Sequence, residues 1–199
     1  MIRVMLLDDH TVLRNALAYV LEQEGDLTVA AGAASLAEAR ATLAKSPVDV
    51  ILVDLELPDG SGLDLVAELS REQPGTATIV LTGNERPETQ ALVVAAGGAG
   101  FLHKSTDAST LATAIRRVAA GESLLSPADT VSLLRQAASY DAQQQATRDA
   151  LARLTPRERD VLRELAAGHD NQTIADRLNL GTETVRTHVA QVLRKLDVT

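Results

Sequence analysis

Four short apolar runs each end in a residue able to handle a phosphate. Met5-Leu6-Leu7 leads into Asp8-Asp9, and Val50-Ile51-Leu52-Val53 leads into Asp54. Thr78-Ile79-Val80-Leu81 ends at Thr82, and Gly100-Phe101-Leu102-His103 ends at Lys104. Carboxylate oxygens are hard ligands that suit Mg²⁺. A carboxylate can also attack phosphorus and form an aspartyl phosphate. Charge on the phosphoryl oxygens must then be neutralised, which Mg²⁺ on one side and Lys104 on the other would do, with the Thr82 hydroxyl bonding a phosphoryl oxygen. Taken singly, each residue has a plainer reading. Asp9 reads as a helix cap, Asp54 as a turn residue ahead of Pro58-Asp59-Gly60, Thr82 as a strand-end threonine and Lys104 as a surface lysine. Only their coincidence at four strand ends speaks for a site.

The elements that must position these residues alternate over the first 120 positions. Strand signals fall near 2–7, 27–31, 48–53, 77–82 and 99–103, and helix signals near 11–24, 35–45, 62–72, 87–96 and 107–120. Gly25, Pro47, Pro58-Asp59-Gly60, Pro74-Gly75, Gly97-Gly98 and Gly121 punctuate the joins. Five βα units predict a doubly wound (βα)5 domain with a five-stranded parallel sheet. Such a sheet lines up its strand C-termini along one edge, where the carboxylates, the hydroxyl and the ammonium meet.

From 122 to 152 the pattern changes. Ser126-Pro127 suits a helix start, and the stretch from Ala137 to Arg148, with Gln143-Gln144-Gln145, reads as a solvated helical linker. From 153 to 199 only helices are expected. Thr155-Pro156-Arg157-Glu158 predicts a capped N-terminus, Gly168 ends that helix, and Asn171 to Leu178 is a second. Asn179-Leu180-Gly181 is a tight turn, and Thr182 is expected to cap a third helix running to about Leu196. Two short helices about a glycine-containing turn read as helix-turn-helix. On the third helix Val185, Val189, Val192, Leu193 and Leu196 fall on one face. Glu183, Thr187, Ala190, Gln191 and Arg194 point away, with Arg186 and His188 on the flanks. Placed in a major groove, its N-terminal residues would lie near base edges. Arg186 suits guanine or phosphate, Thr184 and Thr187 bases or phosphates, and Arg194 phosphate. The plainer reading is a three-helix bundle with a solvated outer face.

The net charge of −8 argues at first against nucleic acid, but it is unevenly placed. Residues 1–150 carry 11 Lys+Arg against 20 Asp+Glu, whereas residues 151–199 carry 8 against 7. Two functions with different electrostatic needs fit one chain. With no cysteine there is no disulfide framework and no thiolate metal site. No apolar run approaches the roughly 18 residues that span a bilayer, and Met1-Ile2-Arg3-Val4 enters a strand directly. We expect a cytoplasmic protein without a membrane partner.

Residues 1–121 resemble a CheY-like receiver domain of two-component response regulators. The resemblance rests on Asp8-Asp9, on Asp54 within Val53-Asp54-Leu55-Glu56-Leu57-Pro58-Asp59-Gly60, on Thr82-Gly83 and on Gly98-Ala99-Gly100-Phe101-Leu102-His103-Lys104. It implies Asp54 as phosphoacceptor for a sensor histidine kinase. It implies Mg²⁺ held by Asp9, Asp54 and the Glu56 backbone carbonyl, with Asp8 acting through water. Thr82 would be the switch hydroxyl, Phe101 the switch aromatic, and Lys104 and the Gly83 N–H contacts to the phosphoryl group. Residues 153–199 resemble the LuxR-type helix-turn-helix through Leu154-Thr155-Pro156-Arg157-Glu158, Val161-Leu162, Gly168, Ile174-Ala175, Leu178, Thr184-Val185-Arg186-Thr187-His188-Val189 and Leu193-Arg194-Lys195-Leu196. The family pattern continues for about one more helix, which the 153–199 domain is expected to lack. Together the modules resemble a NarL/LuxR-family response regulator. That implies a homodimer on phosphorylation and binding to double-stranded DNA through Thr182, Thr184, Arg186, Thr187, His188 and Arg194. An aspartyl-phosphate phosphatase with Glu56 as second carboxylate, and a receiver not switched by phosphate, are the competing readings. We expect no enzyme.

Overall fold

A computed structural model describes residues 1–83 and 86–196. The chain divides into two compact units, Met1–Ala138 and Ser139–Thr199.

In the first unit the elements run β1 (Ile2–Leu7), α1 (Thr11–Glu22), β2 (Leu27–Ala33), α2 (Leu36–Leu43), β3 (Val50–Asp54), β4 (Glu56–Leu57), β5 (Gly60–Ser61), α3 (Gly62–Glu72), β6 (Ala77–Thr82), α4 (Pro87–Ala95), β7 (Gly100–His103) and α5 (Ala108–Ala119). The large sheet is ordered β2-β1-β3-β6-β7, and every pairing in it is parallel. This is the expected doubly wound α/β architecture. The chain reverses its strand order between β1 and β3, and ligands gather at the carboxyl ends of strands beside such a reversal. Val50 to Val53 are fully buried because helices cover both sheet faces. One core cluster joins Met5, Leu7, Ile51, Val53 and Val80 to α2, α3 and α4. The other joins Val4, Leu6, Leu52 and Ile79 to α1 and α5. With a single phenylalanine and no tryptophan, aliphatic packing supplies both layers.

The antiparallel hairpin β4–β5 was not anticipated. It pairs Glu56 with Ser61 and Leu57 with Gly60, and occupies the stretch read only as a Pro-Asp-Gly turn. Gly62 follows it because a Cβ there would lie 2.0 Å from the Asp54 carbonyl oxygen. Only a glycine lets α3 begin that close to β3.

Helix α6 (Pro127–Ala152) occupies the expected 122–152 linker from Pro127 onward, and the boundary between the compact units falls inside it. The second unit contains α7 (Pro156–Ala166), α8 (Asn171–Leu178) and α9 (Thr182–Lys195). Thr155 and Glu158 form the predicted capping box at the start of α7. Asn179 ends α8 in the left-handed conformation, with φ of 57°. Val161, Ile174, Ala175 and Val185 form the core, with Leu165, Leu178, Leu180 and Val189 packed on it. Two expectations fail here. Thr182 is not the α9 cap: Gly181 holds that position, and the Thr182 hydroxyl instead donates to Gln172 Oε1 at 2.9 Å. Leu193, read on the apolar face, is 41% exposed, because α7 and α8 cover only the stripe through Val185 and Val192. No helix of the described residues is long and apolar enough to cross a membrane.

Candidate functional site

Each strand delivers its residue to the same edge. Asp8 follows β1, Asp54 closes β3, Thr82 closes β6 and Lys104 follows β7. Asp8, Asp54 and Thr82 are all buried, at 3%, 4% and 6% exposure. Burying two carboxylates beside each other is costly unless a cation answers them. Lys104 does so. Its ammonium donates to Asp54 Oδ2 at 2.6 Å and to Asp8 Oδ2 at 3.0 Å. Burial works against the charged lysine, but the bonds to Asp54 and Asp8 outweigh it and raise its pKa above the usual lysine value. The Lys104 N–H donates to the Thr82 carbonyl at 2.9 Å, which aims the side chain along the sheet edge into the acidic pair.

The second half of the site is a set of ligand atoms from Asp8, Asp9, His10 and Asp54, all within 4.8 Å of one another. Asp9 is exposed, and His10 caps α1 by position without a side-chain cap bond. The helix-cap reading of Asp9 therefore does not apply. His10 was overlooked in the sequence. Its Nδ1 lies 2.7 Å from Asp9 Oδ1 and 3.2 Å from Asp8 Oδ1, and its N–H donates to Asp8 Oδ1 at 2.8 Å. Its place next to Asp8-Asp9 was the available signal. The Glu56 N–H approaches Asp54 Oδ1 at 3.4 Å, so the hairpin borders the Asp54 carboxylate. An open cleft of about 340 Å³ is lined by His10, Asp54, Glu56, Thr82, Gly83, Thr89 and Lys104. Oxygen donors on one side and an ammonium on the other fit a divalent cation and a phosphoryl group. Phe101 lies outside the cleft, half-buried against the cluster containing Val53 and Val80. It borders a separate depression with Leu124 and Leu125.

In the helical unit, Glu158 is buried and accepts from Lys195 Nζ at 2.7 and 2.9 Å. Lys195 and the Thr155 N–H pull its carboxyl down to about 2. This pair ties the end of α9 to the start of α7. The Arg157 guanidinium donates to the Leu178 carbonyl, which holds α8 against α7. The outer face of α9 presents Arg186, Thr187, Ala190, Gln191 and Arg194 around a shallow groove. Thr184 is exposed at its N-terminal end. Arg186 pairs with Glu183, and the Thr187 hydroxyl donates to the Glu183 carbonyl at 3.0 Å. His188 is half-buried, and its Nδ1 is enclosed with no hydrogen-bond partner among the described residues.

Fold and site together define a doubly wound α/β domain with an acidic, lysine-bridged pocket at its strand ends, and a helix-turn-helix. Residues 4–116 match the response regulator receiver domain, and residues 152–199 match the bacterial regulatory proteins of the luxR family. The chain is 35% identical over 198 residues to the DNA-binding transcriptional activator DevR/DosR of Mycobacterium tuberculosis, covering all of this chain and 89% of that one. It is 38% identical to the transcriptional regulatory protein UhpA of Salmonella typhimurium, over all of this chain and 93% of that one. A structure of the Salmonella typhimurium RcsB response regulator is similar with a TM-score of 0.60 and 25% identity, over all of this chain and 94% of that one. The chain belongs to the NarL/LuxR family of response regulators, the phosphorylation-dependent transcription regulators.

Proposed function

We propose that Asp54 is the phosphoacceptor of this regulator and that a sensor histidine kinase is the donor. The observation that carries this reading is the convergence of Asp54, Asp8, Thr82 and Lys104 at one sheet edge, with Lys104 Nζ 2.6 Å from Asp54. An Asp54 carboxylate oxygen attacks phosphorus. The phosphorus–nitrogen bond to the donor histidine breaks as the new phosphorus–oxygen bond forms. Asp9, Asp54 and the Glu56 carbonyl would hold Mg²⁺, with Asp8 acting through water, and the bound ion would neutralise charge on the phosphoryl oxygens. Lys104 leaves its carboxylate partners for a phosphoryl oxygen, and the Thr82 hydroxyl and Gly83 N–H bond the others. Thr82 moving toward the phosphoryl group opens space that Phe101 fills by packing. This reshapes the surface through which two copies pair.

Pairing then presents two helix-turn-helix units to paired half-sites in double-stranded DNA. Thr182, Thr184, Arg186, Thr187, His188 and Arg194 form the DNA face, with the 122–152 segment linking a 1–121 receiver to a 153–199 DNA-binding domain. The setting is the cytoplasm, where the kinase output and DNA meet. Incubation with acetyl phosphate and Mg²⁺ should add one phosphoryl mass to the chain, promote dimers and tighten DNA binding. Asp54→Asn should lose all three. Phosphoryl mass retained by that variant, or DNA affinity and dimer state indifferent to it, overturns the proposal.

A further inference from the structure

Asp59 makes a contact that the reading above does not use. It sits in the turn between β4 and β5, in the hairpin whose first residue is Glu56. Its two carboxylate oxygens accept from the first two backbone N–H groups of α2. Leu36 N–H donates to Oδ1 at 2.9 Å, and Ala37 N–H donates to Oδ2 at 3.0 Å. These bonds cross more than twenty residues of sequence. The N–H groups of a first helical turn have no partner inside the helix and favour an anion. Asp59 fits that need, and its carboxyl is lowered by the bonds from Ala37 and Leu36.

The helix already has its own cap. Ser35 Oγ accepts from Glu38 N–H at 3.2 Å, and Glu38 Oε2 accepts from Ala34 N–H at 2.8 Å. Asp59 therefore adds a second, tertiary clamp to a helix that starts without it. The clamp is reinforced by packing. A Cβ on Gly60 would come within 2.8 Å of Leu36 Cδ1, and Gly60 adopts φ of 152°, which side chains avoid. Leu55 and Leu57, flanking Glu56, pack on the same core cluster as Leu36. One end of the hairpin is thus anchored to α2, while Glu56 at the other borders Asp54.

We propose that Asp59 is a positioning residue for the cation site, holding the Glu56 carbonyl in place by fastening the β4–β5 hairpin to the N-terminus of α2. The proposal rests on the Mg²⁺ site described under the proposed function. Removing a partner that orients a metal ligand typically costs about 10–100-fold in metal affinity.

Isothermal titration calorimetry of Mg²⁺ into the full chain tests it, with folding checked by circular dichroism. Asp59→Ala should weaken Mg²⁺ binding about tenfold. Asp59→Asn should fall between, because the amide keeps one acceptor oxygen. Ser35→Ala, which removes the helix's own cap without touching the hairpin, should leave the affinity unchanged. Equal affinity in Asp59→Ala and the unsubstituted chain overturns the proposal, as does an equal loss in Ser35→Ala. If Asp59→Ala does not fold, Asp59→Asn against Ser35→Ala decides by the same criterion. No Mg²⁺ binding by the unsubstituted chain overturns the cation site itself, and this proposal with it. Binding that is intact and indifferent to Asp59 overturns this proposal alone.

Discussion

The Lys104 ammonium bridges Asp54 and Asp8, at 2.6 and 3.0 Å, across 50 and 96 residues of sequence. One cation thereby sits between two buried carboxylates and offsets part of their mutual repulsion. The same cation is the group best placed to receive a phosphoryl oxygen, so the resting ion pairs and the proposed phosphorylated state compete for it.

Lys104→Met should therefore lower stability when Mg²⁺ is withheld. Removing one partner of a fully buried pair costs about 3–5 kcal/mol, and partial exposure of the lysine reduces this to about 1–3 kcal/mol. Added Mg²⁺ should recover part of the loss in the variant. In the unsubstituted chain the raised Lys104 pKa makes its contribution full below the unfolded lysine value of about 10.4. It is lost as pH rises through the higher folded value. Thermal melts with and without Mg²⁺, extended into the alkaline range, check both points.

Glu158 sets an acid limit on the helical unit. Its folded carboxyl lies at about 2, pulled down by Lys195 and by the Thr155 N–H from an ordinary value of 4.5. A depressed carboxyl contributes stability that is present above the unfolded value and lost as pH falls toward the folded one. The unit should weaken between about pH 4.5 and about pH 2, and Glu158→Gln should be less stable at neutral pH and flatter across that window. Amide NMR signals of residues in α7 and α9, followed through an acid titration, separate this from events in the other unit.

Arg186 and Arg194 should differ in kind. Arg186→Ala should cost about 1–3 kcal/mol on the preferred DNA site and relax sequence preference. Arg194→Ala should weaken all sequences alike and reduce the slope of affinity against salt by about one counterion. Fluorescence anisotropy on specific and scrambled duplexes at several salt concentrations distinguishes the two patterns.

Phe101 should be separable from the chemistry. Fully buried Phe→Ala changes cost about 3–5 kcal/mol, and this half-buried ring should cost about half as much. Phe101→Ala should still gain a phosphoryl mass from acetyl phosphate but should dimerise less in response. Intact mass and sedimentation velocity on the same samples read both quantities.

Much of the fold was legible because its signals are local. Short aliphatic runs ending at Gly or Pro mark buried parallel strands, and Thr155-Pro156-Arg157-Glu158 announces a capped helix through residues three apart. Asp8, Asp54, Thr82 and Lys104 could be placed together from topology alone, since parallel strands share one C-terminal edge. The failures are equally specific. Thr182 has the right side chain for a cap, but its hydroxyl found Gln172 on the preceding helix. Leu193 has the right spacing for the core, but neighbouring helices cover a narrower stripe than the periodicity suggests.

The sequence by itself determined the residue types at the strand ends, the alternation that makes a parallel sheet, and the charge contrast between the two parts of the chain. These depend on near neighbours and on solvent preference. Only the tertiary structure decided which groups answer each other: Lys104 with Asp54 and Asp8, His10 with Asp9, Lys195 with Glu158, and Asp59 with the start of α2. Apart from His10 with its sequence neighbour Asp9, those partnerships join residues brought close by packing of separate elements. Hydrogen bonds and ion pairs act over about 3 Å, a distance that separation along the chain does not report.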